Sequence, residues 1–226
     1  ISYCGSAAKA SRLAMDKHLS KMIAKTESVP TPEWILIKSN NYSTQLLNEN
    51  AIKFDFPYIV KPADEGSTVG LSLVNGEDEI EGAIEIAGKH STNILLEEYI
   101  SGRELTVGIL GAKALPIVEI ISEHELYDYE CKYAKGKSQY KVPAELPEKV
   151  ARKIQDDALR IYKAIGCRHY GRIDFRLNEK NEHYFLEINT LPGMTSTSLL
   201  PMAAQAAGLD FPELVDTIIK IAMVDQ

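Results

Sequence analysis

Two runs of alternating residues near the end of the chain, 172–177 and 184–189, constrain its fold more than any other feature. A short segment rich in Asn, Glu and Lys separates them, and this arrangement predicts an antiparallel β-hairpin. Side chains on a strand alternate between the two faces of a sheet, so each run divides into a polar set and an apolar set. The apolar set is predicted to fill the core and consists of Ile173, Phe175, Leu186 and Ile188.

The polar face of this hairpin is unusual. With the turn centred between residues 180 and 181, Asp174 lies opposite Glu187 and Arg172 lies opposite Asn189. Carboxylates this close repel each other, and a hard divalent cation such as Mg²⁺ relieves that repulsion. Arg172 would stabilise negative charge that develops in a transition state. The alternative is a solvent-facing strand pair with mixed charges, and a one-residue slip in register would remove the site.

The rest of the chain alternates helical and strand patterns irregularly. Apolar residues recur at helical spacing from residue 7 to 25, from 147 to 165, and in two closing segments, 201–207 and 211–224. Short strand patterns with frequent hairpin signals lie between them. The chain has 226 residues, of which 45% are hydrophobic, enough for one large domain or two small ones. These patterns predict an α+β fold with mostly antiparallel strands.

Charge and cysteine content exclude several classes of protein. The net charge of −7 argues against sequence-independent nucleic-acid binding, which requires many Lys and Arg residues. Three widely spaced cysteines without a CxxC pair favour a reducing cytoplasm over a disulfide framework or a zinc site. No apolar run approaches the ~20 residues that span a bilayer. We therefore expect a cytoplasmic protein without membrane or nucleic-acid partners.

A loop of small residues supplies a second candidate site. It runs from Lys61 to Gly70 between strand patterns at 58–60 and 71–74, which predicts a hairpin with a glycine-rich tip. Backbone amides of residues 66–69 would cradle phosphates, with the ammonium of Lys61 as a point charge. The loop is neither a Walker A motif nor a dinucleotide fingerprint, and a plain flexible hairpin is the alternative.

Three further segments carry polar groups of possible function. Residues 97–100 end a strand and lead on to Glu104; exposed main chain there would pair with an adenine edge, and a carboxylate of this segment would bind ribose hydroxyls. The loop 127–133 contains Lys132 among aromatic residues that would close over a site. Residues 191–198 form a Pro-Gly turn followed by hydroxyl side chains and a helix start. Each has a plain alternative: an acidic strand end, a solvated loop and a helix-capping cluster.

Together these segments resemble the D-alanine–D-alanine ligases of the ATP-grasp superfamily. The resemblance extends from Gly5 to the last helix and rests on five motifs: Met15-Asp16-Lys17; Lys61-Pro62 with Glu65-Gly66-Ser67; Tyr127-Asp128-Tyr129 with Lys132-Tyr133; Gly171-Arg172-Ile173-Asp174; and Glu187-Ile188-Asn189 through Pro192-Gly193-Met194-Thr195-Ser196. It implies an ATP-grasp fold with ATP bound between two α+β subdomains. We expect these at residues 1–99, with the glycine-rich loop, and 100–226, with the hairpin and the closing loop.

The resemblance implies a ligase that joins two D-alanines for peptidoglycan synthesis, with ATP and two Mg²⁺ ions, or Mn²⁺ in their place. The implied metal ligands are Asp174, Glu187 and Asn189. The implied nucleotide-binding residues are Lys17, Lys61, Glu65, Ser67, Thr68, Glu97, Glu98, Tyr99, Ile100, Glu104 and Lys132. Catalysis is expected to involve Arg172, Ser67, Tyr133 and Gly193. The D-alanine substrates are expected to contact Lys132, Tyr133, Arg172, Gly193, Ser198 and Leu199.

Two features refine this expectation. Related D-serine-adding ligases tend to carry arginine at the position of Leu199, so leucine there favours D-alanine as the second substrate. The family normally has a preceding domain of roughly ninety residues that supplies part of the first substrate's site. The chain begins about where that domain ends, so we expect it to be impaired as a ligase by itself. A homodimer is expected for the longer protein. Another ATP-grasp carboxylate–amine ligase, or a non-catalytic Mg–ATP-binding module, remains the alternative.

Overall fold

The computed structural model describes residues 3–40, 54–122 and 138–224. Within these ranges the chain forms two antiparallel sheets, with helices packed against them. The first sheet ends at Glu98 and the second begins at Arg103. The predicted α+β fold with antiparallel strands is confirmed.

The smaller sheet contains the glycine-rich loop. Its strands are β1 (Trp34–Lys38), β2 (Tyr58–Pro62), β3 (Ser72–Val74) and β4 (Asn93–Glu98), in the order β1-β4-β2-β3. Strands β2 and β3 pair antiparallel, which confirms the predicted hairpin around the loop. A 3₁₀ turn at Glu77–Glu79 leads into helix α3 (Ile80–Gly88), which covers the sheet with Ile80, Ala83, Ile84 and Ala87.

The larger sheet contains the predicted metal hairpin. Its strands are β5 (Arg103–Leu110), β6 (Lys113–Ala114), β7 (Val118–Ser122), β8 (Ser138–Lys141), β9 (Tyr170–Leu177) and β10 (His183–Asn189). The order is β10-β9-β5-β7-β8, with β6 paired to β5 outside this path. The long pairing of β5 with β9 along eight residue pairs places the hairpin firmly within the sheet.

Helices cover both faces of the larger sheet, and each face carries one apolar cluster. Helices α1 (Ala8–Met15), α2 (Lys17–Thr26) and α4 (Glu148–Ile165) contribute to the first cluster, which includes Ile173 and Phe175. Helices α5 (Leu199–Ala206) and α6 (Phe211–Val224) contribute to the second. Helix α4 ends at Gly166, which adopts the left-handed conformation common at helix C-termini. The helices predicted at 147–165, 201–207 and 211–224 are therefore confirmed to within two residues at either end.

The first helical segment differs from the prediction of one helix over residues 7–25. Asp16 interrupts it with an extended backbone (φ −81°, ψ 104°), and its side chain accepts a hydrogen bond from the amide of Leu19 (3.0 Å). Asp16 is therefore the N-cap of a second helix, and the apolar spacing continues across the break, which is why the pattern conceals it. The amide of Lys17 then donates to the carbonyl of Ala63 beside the glycine-rich loop (2.8 Å). The break thus ties Lys17 to the smaller sheet.

Helices α1 and α2 belong by packing to the core of the larger sheet. Ala10, Ala14 and Ala24 lie in the same apolar cluster as Leu105 and Phe175. The division into subdomains 1–99 and 100–226 stays a prediction, and these contacts show that the first helices connect both parts.

The register of the β9–β10 hairpin matches the prediction at the four polar positions. Asp174 pairs with Glu187, and Arg172 pairs with Asn189. The strand is irregular between Phe185 and Glu187, however, because Leu186 forms a β-bulge. Phe185 is fully buried in the core, whereas Leu186 lines the cleft described below beside Glu187. The prediction that Leu186 fills the core was therefore wrong, since strict alternation assumes a strand without a bulge.

No helix among the described residues is long and apolar enough to cross a membrane.

Candidate active site

A cleft lies where the two sheets meet, along the segment that joins β4 to β5. Residues from both sheets and from α2 line it: Lys17, Ile59, Lys61, Pro62, Glu65, Thr68, Val69, Leu71, Glu97, Glu98, Tyr99, Ile100, Glu104, Ile120, Arg172, Asp174, Arg176, Leu186 and Glu187. One wall comes from the glycine-rich hairpin and the other from the β9–β10 hairpin. Most of the residues predicted to bind nucleotide or metal therefore face one space.

Asp174 is held rigidly on the β9 wall. Its carboxylate accepts two hydrogen bonds from the Arg172 guanidinium, at 3.0 Å to Oδ1 and 2.8 Å to Oδ2. The hydroxyl of Thr106, on the neighbouring strand β5, donates a third to Oδ1 at 2.5 Å. Asp174 is 8% exposed, so these partners fix its orientation in a largely dry environment.

Lys17 joins the two walls of the cleft. Its ammonium lies 3.2 Å from Oε2 of Glu187 on β10 and donates a hydrogen bond to the backbone carbonyl of Glu65 in the glycine-rich loop. Lys17 is the first residue of α2, directly after the Asp16 N-cap, and this position places its ammonium in the cleft. A cation here lies between the predicted phosphate loop and the predicted metal ligands.

Glu97 lies in the back wall between two lysines. Oε2 accepts from Lys21 at 2.5 Å and Oε1 accepts from Lys61 at 2.6 Å. Burial alone would raise the pKa of Glu97, but Lys21 and Lys61 outweigh it and hold that pKa below its usual value. Burial, opposed by Glu97, lowers the pKa of Lys21 to about 8, which leaves this ammonium mostly charged at neutral pH.

The part of the cleft around Tyr99 and Ile100 carries a further carboxylate, that of Glu104. Arg176 donates from Nε to the carbonyl of Ile100 (2.9 Å), and its Nη1 lies 3.6 Å from Oε2 of Glu104. The same guanidinium lies over the ring of Tyr99 at 5.6 Å. Arg176 therefore ties the segment between the sheets to the Glu104 carboxylate, beside the apolar side chain of Leu186.

The tip of the glycine-rich loop has a strained backbone. Ser67 and Thr68 both adopt left-handed conformations, with φ of 56° and 64°. Non-glycine residues pay about 1–2 kcal/mol for this conformation, and such strain concentrates at ligand-binding segments. Thr68 and Val69 line the cleft, while Ser67 lies outside its lining.

The charges of the cleft indicate how a polyphosphate can bind there. Four cationic side chains and six carboxylates line it, which gives a formal charge of −2. A triphosphate carries charge of the same sign, so its binding requires compensating cations. Asp174 and Glu187 are register partners, and Asn189 follows Glu187 two residues later on the same strand. Their carboxylate and amide oxygens are the hard donors that Mg²⁺ prefers. The residues therefore fit a divalent cation. Two carboxylates and one amide oxygen would supply its protein ligands.

Several predicted site residues lie outside this lining: Ser67, Asn189, Gly193, Ser198 and Leu199. Ser198 bonds within its own loop, where its Oγ accepts from the amide of Thr195 (3.1 Å). A Cβ at Gly193 would lie only 2.8 Å from that same Oγ, so a larger residue there would force the Ser198 side chain to move. Leu199 is 7% exposed and packs in the apolar cluster of α5 and α6. Lys132 and Tyr133 lie outside the described residues. The roles of all the predicted site residues, inside and outside the lining, stay predictions.

The sequence analysis missed four residues that organise the site: Lys21, Thr106, Arg176 and Leu186. Arg176 follows Asp174 at a spacing of two on the same strand, so the alternation that found Asp174 also places Arg176 on its face. The other three depend on contacts between distant segments or on a bulge, which no local pattern reveals.

A family model described as "D-ala D-ala ligase C-terminus" matches residues 23–220, which is most of the chain. The chain belongs to the D-alanine–D-alanine ligase family. A D-alanine–D-alanine ligase of Pelotomaculum thermopropionicum is 40% identical over 230 aligned residues, which cover 99% of the chain and 72% of that relative.

Solved structures of the family have the same fold. A D-alanine–D-alanine ligase from Bacillus anthracis complexed with ATP superimposes with a TM-score of 0.83 at 35% identity, covering 99% of the chain and 71% of that structure. VanG D-Ala:D-Ser ligase from Enterococcus faecalis has a TM-score of 0.85 at 30% identity, covering 97% of the chain and 64% of that structure. The chain therefore has the ATP-grasp fold of this family, and the fold is shared by ligases that differ in their second substrate.

Proposed function

We propose that the protein joins two D-alanines in a reaction driven by ATP, which is converted to ADP and phosphate. One observation carries the proposal: a single cleft brings Lys17 and Lys61 on one side together with Asp174 and Glu187 on the other. Family membership supports the same activity, since relatives that cover the chain are D-alanine–D-alanine ligases.

In the proposed reaction, a carboxylate oxygen of the first D-alanine attacks the γ-phosphorus of ATP, and the bond to the β,γ-bridging oxygen breaks. The resulting acylphosphate is attacked at its carbonyl carbon by the amine of the second D-alanine. The C–O bond to phosphate breaks, and the amine loses a proton. Arg172, which already pairs with a carboxylate, would stabilise the negative charge of the tetrahedral intermediate.

The nucleotide is proposed to lie with its base beside Tyr99, Ile100 and Leu186 and its phosphates beside Lys17 and Lys61. Glu97 to Ile100 would contact the adenine, and Glu104 the ribose. Asp174, Glu187 and Asn189 would hold Mg²⁺ or Mn²⁺. Bound there, the metal would neutralise phosphate charge during transfer. The formal charge of −2 in the cleft supports a metal at this position, because it would repel a triphosphate that carried no metal.

The second D-alanine is proposed to bind near Gly193 and Ser198. D-alanine rather than D-serine is favoured by Leu199, which is apolar where D-serine ligases tend to carry arginine. Its near-complete burial means that it would act by positioning the start of α5, directly after Ser198. A cytoplasmic location, where ATP is available, and a homodimer of the longer protein complete the proposal.

The test is a coupled assay of ADP formation with the full gene product, Mg²⁺ and ATP. We expect ADP formation to depend on D-alanine and to yield the D-alanyl-D-alanine dipeptide. D-Serine or D-lactate as second substrate is expected to give a minor product. A main product with D-serine would reassign the protein to the D-serine-adding ligases. ATP binding without ADP formation from any of these pairs would favour the non-catalytic alternative.

A further inference from the structure

Lys21 is a buried lysine that lies behind the cleft without lining it. Its side chain is fully buried, on the inner face of α2, and its ammonium donates to Oε2 of Glu97. Lys61 donates to the other oxygen of the same carboxylate and is also a cleft residue. Two ammonium groups thus share one carboxylate in the back wall. Because the three groups are buried, the electrostatic interactions between them are stronger than they would be in water.

The charge of this trio depends on Lys21. With Lys21 present, the trio has a formal charge of +1, and Lys61 is the member that contacts both Glu97 and the cleft. Without the Lys21 charge, Lys61 and Glu97 would form a neutral pair, and the cleft would lose its net attraction for an anion at this point. Other cations near Lys21 do not replace it, because Lys25 is half exposed, pairs with Glu33 and lies over the Trp34 ring.

We propose that Lys21 is a positioning residue for nucleotide binding: it neutralises Glu97 from behind so that the charge of Lys61 acts on the phosphates. The inference rests on the proposed function, since it assumes a phosphate-bearing ligand in the cleft. It assigns Lys21 no contact with the nucleotide. The expected signature is therefore a loss of affinity for the phosphates with little loss of affinity for the nucleoside.

The experiment compares ADP with adenosine as probes, by calorimetry with the full gene product at constant Mg²⁺. The measured quantity is the ratio of the two dissociation constants, which removes effects on the adenine end. Lys21→Met is expected to weaken ADP binding relative to adenosine by about tenfold. The matched control is Lys25→Met, one helical turn further along α2, which is expected to leave the ratio unchanged.

A double variant separates charge from packing. Lys21→Met combined with Glu97→Gln removes the carboxylate as well, so Lys61 again carries an uncompensated charge, and the ratio is expected to return towards the wild-type value. A structural role for Lys21 does not predict that a second change in the same buried contact restores phosphate affinity. Lys21→Met also removes a hydrogen-bond donor to Glu97. Lys21→Gln is therefore a second single variant, which keeps a donor but not the charge, and it is expected to weaken ADP binding relative to adenosine in the same way.

Two outcomes overturn the inference. One is a ratio within twofold of wild type in the folded single variants. The other is a loss in Lys21→Met that persists in the double variant. Failure of the wild-type protein to bind ADP is a different result, because it overturns the proposed function itself.

Discussion

Asp174 lies directly opposite Glu187 across the β9–β10 pair, and both carboxylates face the cleft. Each is held by a cation, Asp174 by Arg172 and Glu187 by Lys17. The pair thus places two acidic groups at one position, each beside a cation. In the proposed function these are the groups that hold the metal.

Neutralising this carboxylate pair is expected to abolish the benefit of Mg²⁺ for nucleotide binding. Asp174→Asn and Glu187→Gln should each weaken ADP binding in the presence of Mg²⁺ by at least about tenfold. In the absence of metal, affinity should stay the same or rise, because a negative charge facing the phosphates is lost. Calorimetry with and without Mg²⁺ measures both effects. Glu179→Gln, in the exposed turn of the same hairpin, is the control. If Mg²⁺ strengthened ADP binding as much in Asp174→Asn and Glu187→Gln as in wild type, these two residues would not be metal ligands.

The hairpin also shows how far local pattern predicts structure. Alternation and a centred turn suffice to place Asp174 opposite Glu187, because strand pairing is set by residues within the hairpin itself. The bulge at Leu186 is decided by what each face contacts: Phe185 and Ile188 both enter the core, so one extra residue must turn towards the cleft. That requirement comes from packing against distant segments, which no pattern of alternation contains.

The same distinction between local and long-range contacts explains why the sequence predicts the role of Lys17 but not that of Lys21. The resemblance identifies Lys17 within a motif, and the Asp16 cap gives a local reason for its position. Lys21 follows one helical turn later and looks like any lysine on an amphipathic helix. Only its partner Glu97, distant in sequence, reveals that it is buried. Residues whose role depends on a long-range ion pair are therefore the ones that sequence analysis misses.

Leu186 is expected to contact the base of the nucleotide. Leu186→Ala removes apolar surface from the cleft and should weaken adenosine binding by about fivefold, corresponding to about 1 kcal/mol. Leu191→Ala is the matched control, because that side chain lies just beyond the same strand and is 76% exposed. Calorimetry with adenosine measures both variants. Equal affinity in Leu186→Ala and wild type would mean that the base lies elsewhere.

Arg176 is expected to support recognition of the ribose through Glu104. Arg176→Met removes the contacts with the Ile100 carbonyl and with the Glu104 carboxylate. The preference for ATP over 2′-deoxy-ATP should shrink by about threefold to tenfold, because Glu104 loses the group that orients it. The ratio of kcat/KM for the two nucleotides is the readout, with the exposed Arg152→Met as control. A uniform loss for both nucleotides would assign Arg176 a structural role instead.

Asp157 is expected to stabilise the fold in a pH-dependent way. It lies beneath the larger sheet, where Oδ2 is 2.7 Å from Nε2 of His183. Burial would raise the pKa of Asp157, but His183 and Lys153 outweigh it and hold that pKa below its usual value. A depressed folded-state pKa stabilises the protein above the unfolded value, and this contribution is lost as the pH falls through the folded value.

Asp157→Asn should therefore lower the free energy of unfolding by about 2 kcal/mol at neutral pH. The difference from wild type should shrink as the pH falls through the lowered pKa of Asp157. Urea unfolding across that range measures it, and Asp156→Asn, the exposed neighbour on α4, should change little at any pH. A difference that stays constant with pH would show that the charge of Asp157 contributes nothing.

The central claim is that the cleft transfers the γ-phosphoryl group of ATP to a D-alanine carboxylate. The most direct test supplies D-alanine with ¹⁸O in its carboxylate to the full gene product with Mg²⁺ and ATP. Mass spectrometry then measures the label in the released phosphate. We predict one ¹⁸O atom per phosphate, because the bridging oxygen of the acylphosphate leaves with phosphorus when the amine attacks. Unlabelled phosphate would contradict the account, since it would show that the phosphoryl group was transferred to water or to another acceptor.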